Sequence, residues 1–176
     1  MKVGILETGS PPKDLQGRFA RYPERFRQII GEDAFAWASW DVRKGEWPGA
    51  ADACDAYLIT GSPAGAYETD SWITQLVDFL RAAKGRSTLV GICFGHQVMA
   101  QAFGGQVIKS PKGWGIGLHR YTVMQRTPWM YGADVIAVSA SHQDQVVTPP
   151  PGTTVLAASD FCPFGMLAYG DQLAIS

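Results

Sequence analysis

The chain reads as one α/β domain: a mostly parallel β-sheet with helices on both faces and an antiparallel C-terminal extension. Three observations carry that reading. Short apolar runs of buried-strand length alternate with helix-period segments through the first two thirds of the sequence. The last third drops the helical period for strands and turns. At 176 residues the chain is the size of a single domain, residues 1–176, with a core of its own.

Val3 to Glu7 has the continuous apolar character of a strand covered on both faces. Asp14 to Ile30 keeps helical spacing through Phe19, Phe26 and Ile29-Ile30, with Pro23 expected to kink or divide it. Phe35 to Val42 and Ala56 to Thr60 follow as strands. Asp70 to Lys84 sets Trp72, Leu76, Phe79 and Leu80 on one face, behind a cap at Thr69 or Asp70. Leu89 to Ile92 is a short buried strand, and Phe94 to Phe103 a helix that Gly104-Gly105 stops. The order β-α-β-β-α-β-α is that of a parallel sheet with crossover helices, whose ligands collect beyond the carboxyl ends of the strands. After Gly105, Leu118 to Gln125, Val135 to Ser141, Thr154 to Ala158, Met166 to Tyr169 and Leu173 to Ser176 read as an antiparallel extension. The last of these is expected to be an exposed apolar strand without a covering helix.

Composition narrows the function. Hydrophobic residues at 46% and charged residues at 18%, with 20 Gly and 11 Pro, describe a turn-rich globular protein rather than a disordered or fibrous one. A formal net charge of −1 leaves no basic stripe for phosphodiesters, so nucleic acid is not an expected partner. The N-terminus has no signal-peptide pattern, and no apolar run approaches the roughly 20 residues of a membrane helix. The expectation is a soluble, cytoplasmic protein without membrane contact. Cys54, Cys93 and Cys162 lack CxxC spacing, and His96, His119 and His142 contain no i, i+4 pair, so neither a disulfide framework nor a metal is expected. Lys112 to Gly117 is glycine-rich but lacks the pattern of a phosphate loop, and no cofactor is expected.

One segment carries chemistry. In Gly91-Ile92-Cys93-Phe94-Gly95-His96-Gln97 a cysteine stands between two glycines where a buried strand meets a helix. A nucleophile on so sharp a turn takes a strained backbone, and flanking side chains would collide with strand or helix. The helix N-terminus should lower the thiol pKa, and the Phe94 amide should point at an oxyanion formed above the sulfur.

This segment resembles the G-x-C-x-G-x-Q nucleophile motif of the class I (triad) glutamine amidotransferases. Thr60-Gly61-Ser62-Pro63 resembles that family's oxyanion loop, with Ser62 where glycine is commoner. Ser141-His142-Gln143-Asp144-Gln145-Val146 resembles the S-H-x-D-x-V segment of GMP-synthetase amidotransferase domains and their stand-alone relatives. The resemblance covers essentially the whole chain and implies a flavodoxin-like fold. It implies that Cys93 attacks the carboxamide of glutamine and passes through a γ-glutamyl thioester, and that the backbone amides of Phe94, Gly61 and Ser62 form the oxyanion hole. Gln97 and the backbone of Ser141, His142, Gln143 and Asp144 would hold the amino-acid end, with Asp144 suited to its ammonium group. With no synthase domain in the sequence, ammonia would go to a partner synthase subunit in trans, or the protein would be a free-standing hydrolase of glutamine or of a γ-glutamyl compound. His96 is expected to point away from the sulfur and His142 to belong to the substrate loop, while His119 is read as structural and Cys54 and Cys162 as inert.

In that family the base and its orienting acid come from a His-Pro-Glu motif a few residues beyond a strand that looks like Leu173 to Ser176. No His-x-Glu occurs in these 176 residues. The expectation is that the domain is C-terminally incomplete and inactive as given. Two other readings stand beside it: a non-catalytic relative acting as a binding subunit, and another cysteine-elbow hydrolase, whether of γ-glutamyl compounds or of the dienelactone-hydrolase type.

Overall fold

The computed structural model describes residues 1–12, 14 and 18–176. Among these residues eleven strands and three α-helices follow one another. They run β1 (Lys2–Glu7), α1 (Tyr22–Ile30), β2 (Ala36–Asp41), β3 (Ala56–Ile59), α2 (Ser71–Ala83), β4 (Thr88–Ile92) and α3 (Phe94–Ala102). Then come β5 (Gln106–Lys109), β6 (Gly115–Val123), β7 (Val135–His142), β8 (Asp144–Thr148), β9 (Thr154–Ala158), β10 (Met166–Tyr169) and β11 (Gln172–Ile175).

Nine strands form one sheet in the order β2-β1-β3-β4-β11-β10-β9-β6-β7, and β5 and β8 pair separately. Strands β2, β1, β3, β4 and β11 are parallel neighbours, and the pairs from β11 through β10, β9 and β6 to β7 are antiparallel. From β1 the connection through α1 steps one way along the sheet, and from β3 the connection through α2 steps the other. Right-handed crossovers therefore put these two helices on opposite faces. The reversal makes β1/β3 the switch point of the sheet, where a crevice opens beyond the strand ends. Thr8 and Thr60 close its floor: Thr8 N–H donates to Thr60 Oγ1 at 3.0 Å and Thr8 Oγ1 to the Thr60 carbonyl at 2.8 Å.

The main core lies between the sheet and the α2/α3 layer. Ile73, Leu76, Leu80 and Ala83 on α2 are buried, in the spacing of one apolar helical face. They pack with Leu6, Tyr57, Ile59 and Leu89 of the sheet. Every residue of α3 except Gln101 is buried. A smaller cluster, built on Tyr121, Leu156, Ala157, Cys162 and Met166, holds the antiparallel end. No helix is long and apolar enough to cross a membrane, and among the described residues no cluster of His, Cys, Asp or Glu could hold a metal ion.

Several expectations need correction. The first helix covers Tyr22–Ile30 rather than Asp14–Ile30; of the earlier stretch, residues 15–17 lie outside the described residues. Pro23 does not kink this helix but starts it, in the first turn, where its missing N–H costs no hydrogen bond. Its apolar residues do not all face the core either, since Ile29 is 74% exposed. Asp70 occupies the N-cap position of α2, yet neither it nor Thr69 makes a side-chain capping bond there. Two strands are additions to the sequence-based order, β5 and β8, which pair antiparallel beside α3. Finally, the last strand is not an exposed edge: β11 is inserted between β4 and β10, pairing Leu173 with Val90 and Ala174 with Gly91 on one side.

Candidate active site

The turn at Cys93 is shaped by two close backbone approaches. Cys93 has φ 56° and ψ −107°, and it is the only non-glycine at positive φ among the described residues. A β-carbon at Gly91 would stand 2.5 Å from the Gly95 carbonyl oxygen, and one at Gly95 would stand 2.3 Å from the Ile59 carbonyl oxygen. Both flanking positions are therefore closed to any side chain, as the motif required. The Cys93 amide donates to the Ile175 carbonyl at 2.8 Å, so the end of β11 lies directly beside the Cys93 turn.

The thiol pKa moves against the sequence-based expectation. Burial pushes the Cys93 thiol above its ordinary range, a hydrogen bond from the Phe94 amide offsets only part of that, and the Asp144 carboxylate adds to the rise. The Phe94 N–H thus points at the sulfur, but the helix end does not prevail over desolvation. Among the described residues no side chain hydrogen-bonds this thiol. Its alkylation in the 176-residue chain is expected to speed up about tenfold per pH unit and to keep rising above about pH 9. A rate that levels off near neutrality, with Cys93 identified as the alkylated residue, would contradict this.

A cleft opens above the sulfur, lined by Ser62, Pro63, Tyr67, Cys93, Gln97, Lys109, Trp114 and the segment from Ser141 to Asp144. Gly61 lies against Cys93, since a β-carbon on it would be 3.8 Å from the Cys93 Cβ. Ser62 keeps a negative φ and its Oγ accepts the Ala64 N–H at 3.2 Å, so serine in place of the commoner glycine brings no backbone strain. Gln97 is buried, and its Nε2 donates to the Asp144 carbonyl at 2.9 Å, fastening the loop after β7 onto α3.

His142 stands 3.1 Å from the same carbonyl through Nδ1, and 3.2 Å from Ser176 Oγ through Nε2. A carbonyl only accepts, so Nδ1 carries the proton and Nε2 is left to accept from the hydroxyl. Burial keeps this ring neutral to lower pH than usual. His96 is completely buried behind the turn and away from the cleft. Both its ring nitrogens lack a hydrogen-bond partner among the described residues, and burial drives its pKa down to about 3. His119 packs edge-on against Phe161 at 5.2 Å. Cys54 and Cys162 are buried elsewhere, with pKa values raised first of all by desolvation.

Several cleft residues do not stand out in the sequence. Tyr67 Oη donates to Asp144 Oδ1 at 3.2 Å, and Gly65 is held small because a β-carbon there would meet the Tyr67 ring at 2.8 Å. Burial raises the Asp144 pKa, while Tyr67 and Lys109 oppose that rise. The available signal is positional: Tyr67 and Glu68 follow the Gly61-Ser62-Pro63 loop at a strand's carboxyl end, where loops of this sheet type carry function. Lys109 comes into place through the β5/β8 pairing.

The profile of the family described as "Glutamine amidotransferase class-I" matches residues 35–172. The chain is 30% identical over 164 residues to gamma-glutamyl peptidase 3 of Arabidopsis thaliana, an alignment covering 88% of this chain and 66% of that protein. The chain therefore spans just under two thirds of that relative's length. It is 34% identical over 85 residues to one component of the glutamine-hydrolyzing GMP synthase of Methanosphaera stadtmanae, covering 48% of this chain and 45% of the other. The crystal structure of a glutamine amidotransferase from Thermotoga maritima superposes with a TM-score of 0.82 at 19% identity, over 99% of this chain and 74% of that one. That likeness speaks for the fold.

Proposed function

Because the chain belongs to the class I glutamine amidotransferase family, we propose that it supplies the nucleophile of a γ-glutamyl amide hydrolase, with Cys93 attacking the substrate's side-chain carbonyl. The observation that carries this reading is Cys93 at φ 56° between two glycines, at the mouth of a cleft with charged and polar walls. In the reaction, Sγ forms a bond to the δ-carbon, and the C–N bond breaks. Ammonia or an amine leaves with the thiol's proton. Water then cleaves the thioester, giving glutamate and the restored thiol. The amides of Phe94, Gly61 and Ser62 are the donors available to the transient oxyanion. Gln97 and the segment Ser141, His142, Gln143 and Asp144 would frame the amino-acid end, with Asp144 toward the ammonium and Lys109 toward the carboxylate.

Among the described residues no side chain hydrogen-bonds the Cys93 thiol, so none of them is placed to take its proton. The chain spans just under two thirds of the Arabidopsis relative's length. A leaving group larger than ammonia is favoured by the similarity to a protein named gamma-glutamyl peptidase. Transfer of ammonia in trans to a synthase partner is the alternative that the similarity to the GMP synthase component supports.

A glutamine-analogue electrophile tests the reading. It should label Cys93 and spare Cys54 and Cys162, with protection by glutamate. Labelling spread over all three, or unaffected by glutamate, would refute an amino-acid pocket. Tyr67→Phe deletes one hydroxyl that orients Asp144, and it is expected to raise KM about three- to tenfold with kcat little changed, the loss of roughly one hydrogen bond to a charged group. An unchanged KM would remove Asp144 from substrate binding.

A further inference from the structure

The carbonyl oxygen of Asp144 is held from two sides. Gln97 Nε2 reaches it at 2.9 Å from α3, and His142 Nδ1 reaches it at 3.1 Å from the end of β7. A carbonyl oxygen carries two lone pairs, so these two donors saturate it and fix the peptide plane from which the Asp144 side chain departs. The carboxylate is thereby aimed. Tyr67 Oη donates to Oδ1 at 3.2 Å, and among the described residues no donor reaches Oδ2. A β-carbon on Gly65 would stand 3.2 Å from Oδ2, so the glycine keeps this oxygen uncrowded. Oδ2 is an open acceptor in the wall of the cleft that contains Cys93.

Both donors lead back to the Cys93 turn. Gln97 follows Cys93 by one helical turn, and its N–H donates to the Cys93 carbonyl at 3.1 Å. His142 connects by way of β11. Its Nε2 accepts from Ser176 Oγ at 3.2 Å, Ser176 N–H donates to the Gly165 carbonyl at 2.8 Å, and the carbonyl of Ile175 accepts the Cys93 N–H at 2.8 Å. Asp144 is therefore fixed relative to Cys93 twice, through the helix that follows the turn and through the strand beside it. The second route has one chemical solution. His142 is only 4% exposed, and His119 and Phe161 flank its ring at centroid distances of 6.2 Å. With Nδ1–H committed to the carbonyl, Nε2 is a buried acceptor that needs a donor, and the Ser176 hydroxyl supplies it. Without that hydroxyl Nε2 would be left unmet, a cost the ring could relieve only by turning out of line with Asp144.

We propose that His142 and Ser176 are positioning residues for substrate binding, which hold the Asp144 carboxylate, with Oδ2 open, at the reach from Cys93 that the substrate's α-ammonium group requires. The assignment rests on the reading of Cys93 and its cleft as a γ-glutamyl amide site. Neither side chain acts on the reacting atoms. His142 works through a backbone carbonyl and Ser176 works through His142, so both govern affinity and leave the chemical step to Cys93.

Labelling of Cys93 in the whole protein by the diazoketone analogue of glutamine, followed by mass spectrometry, separates these effects. The half-saturating concentration reports the amino-acid end, and the rate at saturation reports the thiol. His142→Phe keeps a flat ring without nitrogens, and it should raise the half-saturating concentration about five- to tenfold, the loss of one buried hydrogen bond, with the rate at saturation within about twofold. His142→Asn, whose amide N–H stands in for Nδ1–H, should recover most of that loss. Ser176→Ala should raise the half-saturating concentration about threefold in the parent and add nothing in the His142→Phe background, because it acts only through the ring. A parent protein that shows no saturation, or no protection by glutamate, overturns the reading of the cleft and the positioning role with it. With saturation in the parent, three results overturn the positioning role alone: no change in His142→Phe, an equal loss in His142→Asn, or a Ser176→Ala effect that persists at full size in the double variant. A loss shared with labelling by iodoacetamide, which needs no amino-acid pocket, marks damage to the turn and also overturns it. If His142→Phe does not fold, Ser176→Ala decides alone: it removes one hydroxyl from a half-buried residue, and a half-saturating concentration equal to the parent's refutes the relay.

Discussion

Cys93→Ala is expected to abolish glutamate release by the whole protein, lowering kcat by at least about 10³-fold whether glutamine or a γ-glutamyl peptide is the substrate. The size follows from the role: with no sulfur there is no thioester, and water would have to attack an amide directly, without the two-step path. The remaining amides at Phe94, Gly61 and Ser62 would polarise the carbonyl, so a residual rate above the uncatalysed reaction is compatible with the reading. Stability gives the control. Alanine keeps the β-carbon of cysteine and meets the same backbone at φ 56°, so the melting temperature should move little. A variant that melts like the parent and has lost turnover locates the defect in the chemistry. Retention of more than a tenth of the parent's kcat would remove Cys93 from the reaction.

What can be read in advance follows a physical divide. Strand β1, helix α2 and the turn at Cys93 are legible because each is written in adjacent residues: an unbroken apolar run, a repeating face, a glycine on each side of a cysteine. The ion pairs of buried Glu7 with Arg21 and of buried Asp41 with Arg43 are not. They depend on Glu7 lying beside Asp41 in the β1/β2 register, and no spacing along the chain reports which residues of two parallel strands become neighbours. Strand β8 is hidden for a related reason: Asp144 to Thr148 offers only three β-branched residues after two polar ones, too short a run to stand out, and it becomes a strand through pairing with β5. The Cys93 thiol departs from expectation in direction because the helix N-terminus is visible in sequence, whereas the burial that overrides it arises only when the chain packs around the sulfur. Helix α1 is shorter than its apolar spacing suggests because Pro23 marks a beginning rather than an interruption, and a proline fits a first turn as readily as it breaks an interior.

Gly95→Ala is expected to be the most destabilising single-methyl change in this chain, costing about 3 kcal/mol or more, which for a domain of this size lowers the melting temperature by roughly 6–12 °C. The new β-carbon would meet the Ile59 carbonyl oxygen at 2.3 Å and the Ile59 carbonyl carbon at 3.0 Å. These are backbone atoms of an interior parallel strand paired on both sides, so no rotamer change relieves the contact. Either β3 moves, which strains two strand ladders and shifts the adjacent Thr60-Gly61 loop, or α3 rises off the sheet and carries the Cys93 turn with it. Both routes disturb the turn that positions Cys93, so activity should fall together with stability, in contrast to Cys93→Ala. Gly49→Ala is the matched control. Its β-carbon would meet nothing within 4 Å, and Gly49 is not at positive φ, so its effect should stay within about 0.5 kcal/mol. Chemical denaturation of the two variants decides the matter. Equal midpoints would mean that helix and strand do not approach closely at Gly95, and that the second glycine of the motif is there for another reason.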